Sequence, residues 1–364
     1  MRKLNLDAAR AARIAVPLLV GGFLLLPQGA QAGYIFQDVV NPGDPTFNQE
    51  LSINNAGTIA GYFGSGAPNA TPPPFTLTPN QGYTTSAPYT SFTGENFPGS
   101  SQTQVTGINN GGVTVGFYAD SNGATTPNFF GFVDQSNTFT TVRNPNTPAT
   151  GPTTNQLLGL NDNGTAAGFY VDASGNSHGY LYNIGSSSYT NVLLPSSDNA
   201  TSVTATGINN AGEVIGFFLS GSVTEGFLDN GGTFTNFEAA GSTNTMFLGI
   251  NNVGQIVGVY QDGNGFNNGF VYSIASGTYQ TVDDPNAVLA NGGTTINGIN
   301  DNGQLVGFYG DANGNTIGLV ANTVPEPGSM ALVGLGALLI AIGWRRSCGA
   351  VNLGRSRLSG GQAG

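Results

Sequence analysis

From Tyr34 to Asn322 the apolar residues come in short runs of strand length, and each run is cut by Asn, Asp, Gly or Thr. The runs repeat. "SINNAGTIAGYF" begins at Ser52, "GINNGGVTVGFY" at Gly107, "GLNDNGTAAGFY" at Gly159, "GINNAGEVIGFF" at Gly207, "GINNVGQIVGVY" at Gly249 and "GINDNGQLVGFY" at Gly298. Their asparagines Asn54, Asn109, Asn161, Asn209, Asn251 and Asn300 lie 55, 52, 48, 42 and 49 residues apart. A period of about 50 residues is that of propeller blades and exceeds most two-element solenoid repeats.

Each repeat predicts four strands. The first ends at Gly-Ile-Asn, and Asn-Asn-x-Gly or Asp-Asn-Gly turns the chain, because these residues tolerate positive φ and bond their own backbone. The second reads like "IVGVY", with Gly116, Gly168, Gly216, Gly258 and Gly307 inside it. Glycine weakens a strand unless another backbone comes close, and the axis of a propeller is the expected place for that approach. Third strands follow, as in "GFVDQ" from Gly131 and "GFVYS" from Gly269, then fourth strands, as in "TFTTV" from Thr138 and "TYQTV" from Thr278. Aromatic and β-branched residues suit such half-buried positions.

The phase of the repeat predicts how the array ends. "YIFQDVVNP" from Tyr34 matches a fourth strand, whereas the last repeat, through "LVGFYGDANGNTIGLVAN", supplies only three. The expectation is an all-β chain: a six-bladed β-propeller of four-stranded blades over residues 33–322, closed by an N-terminal outer strand that removes the exposed edge.

Two longer apolar runs lie outside this pattern. Arg2, Lys3, Arg10 and Arg13 precede "IAVPLLVGGFLLLP", and Ala30 and Ala32 form a small-residue site for cleavage before Gly33. Residues 1–32 therefore read as a secretory signal peptide. Near the other end, Gly328 to Trp344 is an apolar run of 17 residues, about 26 Å as a helix and enough for a transmembrane span. Arg345 and Arg346 follow it directly and would stay cytoplasmic, with the residues after them, 347–364, as a cytoplasmic tail.

The segment "VPEPGSMALVGLGALLIAIGWRR" resembles the PEP-CTERM sorting signal of Gram-negative bacteria: a Pro-Glu-Pro box, one membrane span and a basic cluster. The resemblance covers residues 323–346. It implies recognition of Pro325, Glu326 and Pro327 by an exosortase, a membrane cysteine transpeptidase-like enzyme, with Arg345 and Arg346 as the stop signal. It also implies a transient or permanent inner-membrane anchor and delivery to the cell surface or extracellular matrix. The repeat itself, as in "NDNGTAAGFY" beside "SHGYLYN", is similar to the extracellular HAF repeat, although only His178 keeps the histidine.

Charge narrows the partners. Between Gly33 and Pro327 the chain has one cation, Arg143, against nineteen carboxylates, a formal charge of −18. Such a surface forms no basic patch for a phosphate backbone, so nucleic acid is excluded as a partner. The single cysteine, Cys348, rules out an intramolecular disulfide; near the inner membrane face it is also a position for lipidation. The only tryptophan, Trp344, lies in the apolar run, so stacking on sugars would fall to Tyr and Phe.

Few residues suggest chemistry. The six repeated asparagines read as turn residues that bond neighbouring turns, with a ligand-binding ring as the alternative. Acidic turns recur between strands two and three at Asp120, Asp172, Asp262 and Asp311, and oxygen ligands on tight loops are what Ca²⁺ uses. Ordinary hairpin turns are the competing reading. One histidine cannot build a multi-histidine metal site. Adjacent Asp283 and Asp284 before Pro285 read as a loop rather than a hydrolytic pair.

The function expected is therefore an exported, non-catalytic surface or matrix protein without a cofactor other than candidate Ca²⁺. Association with exopolysaccharide is what the PEP-CTERM resemblance implies. A glycan-acting hydrolase or lyase and a surface protein-docking platform remain the alternatives. Intact mass of the protein from its native cells tests the processing: a species beginning at Gly33 and ending near Pro327 is expected, and one that retains Cys348 contradicts it.

Overall fold

The computed structural model describes residues 33–65, 79–120, 128–150 and 152–324. Twenty-four strands and two short 3₁₀ turns make up these residues. β1 (Tyr34–Val39) comes first, then six successive units. Unit one holds β2 (Asn48–Ile53), β3 (Ile59–Phe63), β4 (Gln81–Thr85) and β5 (Phe92–Gly94); unit two holds β6 (Gln102–Ile108), β7 (Thr114–Ala119), β8 (Phe129–Asp134) and β9 (Phe139–Val142). Unit three holds β10 (Asn155–Leu160), β11 (Thr165–Val171), β12 (Ser177–Asn183) and β13 (Ser188–Asn191); unit four holds β14 (Ser202–Ile208), β15 (Val214–Ser220), β16 (Val223–Asn230) and β17 (Thr233–Phe237). Unit five holds β18 (Asn244–Ile250), β19 (Gln255–Gln261), β20 (Asn267–Ser273) and β21 (Thr278–Thr281). Unit six has only β22 (Thr294–Ile299), β23 (Leu305–Gly310) and β24 (Thr316–Thr323).

Each unit is an antiparallel meander, and β1 completes the sixth: it pairs with β24 from Tyr34 opposite Thr323 to Val39 opposite Gly318. The all-β arrangement of four-stranded sheets read from the repeat is thus present, with the phase expected from Tyr34. Units four and five share one further parallel pairing, Thr224 with Asn244, which joins their strands into one sheet.

Inner strands such as β3 and β7 are buried and outer strands such as β5 and β13 largely exposed, because a four-stranded sheet of this composition hides its apolar residues only against a neighbour. Ala60 of unit one packs with Val105 and Phe132 of unit two, and Val115 and Val133 of unit two with Leu157 and Tyr180 of unit three. Ala167 then packs with Ala205 and Phe227, Ile215 with Phe247 and Phe270, and Val257 with Ile296 and Leu319. Val306 and Val320 of unit six meet Ile53 and Ile59 of unit one, so the cycle of cores returns to its start. The arrangement is propeller-like.

A β-bulge recurs in the first strand of every unit, between Glu50 and Ser52, Val105 and Gly107, Leu157 and Gly159, Ala205 and Gly207, Phe247 and Gly249, and Ile296 and Gly298. The bulge corrects one expectation. The second-strand glycines are expected at an approach to the axis, yet a Cβ at Gly216 would overlap Thr204 O of the first strand in its own sheet. The axial approach belongs instead to residues such as Gly159, whose Cβ would stand 3.2 Å from Gly207 Cα of the next unit.

The expected signal peptide with Ala30 and Ala32, and the membrane span with its tail, lie outside the described residues. Among the described residues no helix is long and apolar enough to cross a membrane.

Gly216→Ala should cost about 3 kcal/mol through backbone overlap. Gly94→Ala, whose Cβ meets nothing nearer than Asn96 Nδ2 at 3.7 Å, should be nearly neutral. Urea denaturation of both variants measures the difference, and equal losses would contradict the bulge argument.

Candidate functional site

The six repeated asparagines meet at the centre of the units. Each Oδ1 accepts the backbone N–H four residues on, at 2.8 to 3.0 Å, which closes its own turn. Each Nδ2 donates to the carbonyl of the corresponding asparagine in the next unit: Asn54 to Asn109, Asn109 to Asn161, Asn161 to Asn209, Asn209 to Asn251, Asn251 to Asn300 and Asn300 to Asn54, at 2.9 to 3.2 Å. The cycle is closed and buried. Of the two readings open for these residues, bonding between neighbouring turns is what the geometry displays.

A second, exposed cycle lies one residue later and was missed as a site. The backbone N–H of Asn55, Asn110, Asp162, Asn210, Asn252 and Asp301 each donates to the side-chain Oδ1 of the next member, at 2.7 to 2.9 Å. Its two aspartates stand in units three and six, half the cycle apart. Asp162 Oδ2 accepts Nδ2 of Asn110 and Asn210, and Asp301 Oδ2 accepts Nδ2 of Asn55 and Asn252, at 2.8 to 2.9 Å. Burial works against these charges, but the amide donors outweigh it and hold both carboxyls below the usual range. The Asn-Asn and Asn-Asp pairs in the repeat carried this signal. Together the two cycles line a polar mouth of about 80 Å³.

The acidic turns stay apart. Asp172 Oδ1 accepts the N–H of Ser174 and Asn176, Asp262 Oδ1 those of Asn264 and Phe266, and Asp311 Oδ1 those of Asn313 and Asn315, at 2.8 to 3.0 Å. Asp120 accepts the N–H of Asn128 at 3.2 Å and its Nδ2 at 3.0 Å. Each carboxylate therefore holds its own hairpin. Among the described residues no three His, Cys, Asp or Glu side chains gather as metal ligands.

Asp283 and Asp284 serve different partners. Gly269 N–H donates to Asp283 at 3.0 Å, whereas Asp284 caps Asn286 N–H at 2.8 Å. Burial raises both carboxyls. Asn41 and Asn144 cap the residue after their proline in the same way, so Asp284-Pro285 is the acidic version of a recurring connection.

The connection from unit three to unit four lacks that cap, because Leu194-Pro195 replaces the Asx-Pro pair and the following Ser196–Asp198 turn has no side-chain cap. This loop lines a cavity of about 400 Å³ with Tyr170, His178, Val192 and Val203. The His178 ring stacks on Tyr170 at 5.1 Å and 21°, and Nε2 lies 2.9 Å from Asp172 Oδ2. That bond, helped by the N–H of Asn176 and Ser174, holds the Asp172 carboxyl down at about 2. Leu193 stands at the rim, 73% exposed. An apolar floor with a polar edge suits an uncharged ligand.

Of the processing residues, only Gly33 is described: its carbonyl accepts the N–H of Val324 at 2.8 Å. Pro325, Glu326, Pro327, Arg345 and Arg346 lie outside the described residues. Residues 323–347 match the PEP-CTERM protein-sorting motif, consistent with exosortase processing of an exported, membrane-passing protein. No curated protein matches the chain. Solved structures are similar only distantly. TolB from Acinetobacter baumannii is 12% identical with a TM-score of 0.44, over 73% of this chain and 64% of that one. Trypanosoma rangeli sialidase in complex with the inhibitor DANA is 10% identical with a TM-score of 0.47, over 86% and 60%. A polysaccharide lyase, an ulvan lyase, is 10% identical with a TM-score of 0.42, over 76% and 78%. The chain thus spans less than two thirds of TolB and of the sialidase. Likeness at this level carries no functional argument.

Asn161→Ala should cost about 2 kcal/mol at any pH, since it removes a buried bond and strands two partners. Asp162→Asn should cost about 1 kcal/mol, discounted for exposure, by setting amide against amide. Because its folded-state pKa is depressed, the contribution of Asp162 is present above the unfolded value and is lost as pH falls through the folded one. Urea midpoints of Asp162→Asn and the unaltered chain should therefore converge in acid; a constant gap contradicts the assignment.

Proposed function

We propose that this chain is an exosortase-sorted cell-surface or extracellular-matrix protein of a Gram-negative bacterium, whose six-bladed β-propeller of HAF-like repeats binds exopolysaccharide without catalysis. One observation carries the topology: β24 ends at Thr323, where the sorting motif begins, and the N–H of Val324 bonds the carbonyl of Gly33 just before β1. Cleavage after residue 32 and at the box would then trim both ends at the outer edge of one sheet and sever no strand pairing.

A binding role is supported by the way the carboxylates are used. Asp172, Asp262 and Asp311 each hold their own turn, and Asp162 and Asp301 clamp neighbouring blades. None of these five has a raised pKa suited to donating a proton. The cavity at His178 is the favoured contact for an uncharged sugar ring, because its floor is apolar and the acidic body repels uronates. Ca²⁺ enters this reading only for acidic stretches of the polymer, where it bridges two surfaces that otherwise repel.

Co-sedimentation of the purified protein with exopolysaccharide from its own cells, with and without Ca²⁺, tests the reading. The single histidine supplies one unambiguous imidazole resonance, which should shift as polysaccharide is added. Unmoved resonance and no co-sedimentation in either condition would set polysaccharide aside. Specific capture of a surface protein instead would favour the docking platform.

A further inference from the structure

Strand pairing defines equivalent positions in the six blades. The first-strand residue opposite the second-strand glycine is Val105 opposite Gly116, Leu157 opposite Gly168, Ala205 opposite Gly216, Phe247 opposite Gly258 and Ile296 opposite Gly307. All five are apolar and at most 1% exposed. In the first blade the position is Glu50, opposite Gly61, with no exposed surface at all. A carboxyl occupies a place that every other blade fills with hydrocarbon.

Its surroundings offer little to a charge. Oε1 accepts the Tyr83 hydroxyl, and Oε2 has no hydrogen-bond partner among the described residues. That oxygen presses on Gly318 of β24, where any Cβ would collide with it. Glu50 therefore sits in the seam between the first blade and the sixth, the blade that β1 completes. Among the elements packed on β2, β6, β22 and β24 carry no titratable side chain. β3 carries Tyr62, bonded to Gln49; β4 carries Tyr83; β23 carries Tyr309, bonded to Asp38 of β1. No cation faces the carboxyl from any of them. Burial pushes Glu50 well above the usual carboxylate range, and the hydrogen bond from Tyr83 only partly opposes it.

We propose that Glu50 is a proton-operated latch on the ring. As the neutral acid it packs like the apolar residue of the other blades; once ionised it forces the seam between blades six and one apart and frees β1 from β24. The linkage has a definite sign. A carboxyl whose folded-state pKa is raised contributes stability that is full below the unfolded value and is lost as pH rises through the folded one. This is opposite to Asp162 and Asp301, and it is independent of what the propeller binds.

The test uses the full-length protein. Between the two pKa values the unfolding equilibrium should rise about tenfold per pH unit, and hydrogen exchange should accelerate first in β1, β2 and β24, after correction for base catalysis. Glu50→Gln keeps a partner for Tyr83 and should flatten the pH dependence; Glu50→Leu, the residue of the third blade, should do the same if the amide variant folds poorly. In the unaltered protein the infrared spectrum at neutral pH should contain a protonated carboxyl stretch that Glu50→Gln removes. An ionised Glu50 at neutral pH, or the same pH slope in the unaltered protein and a folded variant, overturns the proposal.

Discussion

The amide of each turn asparagine is satisfied half within its own unit and half by the backbone of the next. Its Oδ1 closes the local turn, and its Nδ2 reaches across to the neighbouring carbonyl. A buried amide left with half its bonds is costly, so no unit is complete alone and five in a row would leave a donor stranded. The bond from Asn300 to Asn54 is therefore as necessary as any other: it closes the cycle between unit six and unit one. At the other side of the same sheet, β1 supplies the outer strand by pairing with β24.

Against this six-fold constraint the departures acquire meaning. Ser52 takes the axial place held elsewhere by Gly107, Gly159, Gly207, Gly249 and Gly298, and its hydroxyl accepts the Ile108 N–H of the next unit. Asp162 and Asp301 divide the exposed cycle into halves, so each carboxylate collects two amides that would otherwise need water. Leu194-Pro195 stands where three of the six connections carry the Asx-Pro cap, and it lines the largest cavity among those described. Glu50 lies where the chain meets its own beginning.

Acidity is thus not one property spread over the surface. Asp162, Asp172, Asp262, Asp301 and Asp311 hold turns or clamp neighbours, and their donors keep them below the usual carboxylate range; Glu50 is buried beside a phenol, and burial pushes it well above that range. Raising the pH relieves the first group and strains the second. The chain is left with two opposed responses to pH.

The sequence by itself determined the strand count, the turns, the phase that sends Tyr34 to the last sheet and the sorting segment, because each rests on local chemistry repeated at a fixed interval. Asn-Asn-x-Gly makes its turn wherever it stands, and "YIFQDV" is recognisable by its likeness to other outer strands. Direction across space was not legible. Asn161 reads identically whether its amide finds Asn209 or water, the glycine of the second strand gives no sign that a bulge in its own sheet requires it, and Glu50 looks like any polar residue in a short strand. Those outcomes depend on which backbone lies a few ångströms away after the ring has closed, and that distance exists only in the tertiary structure.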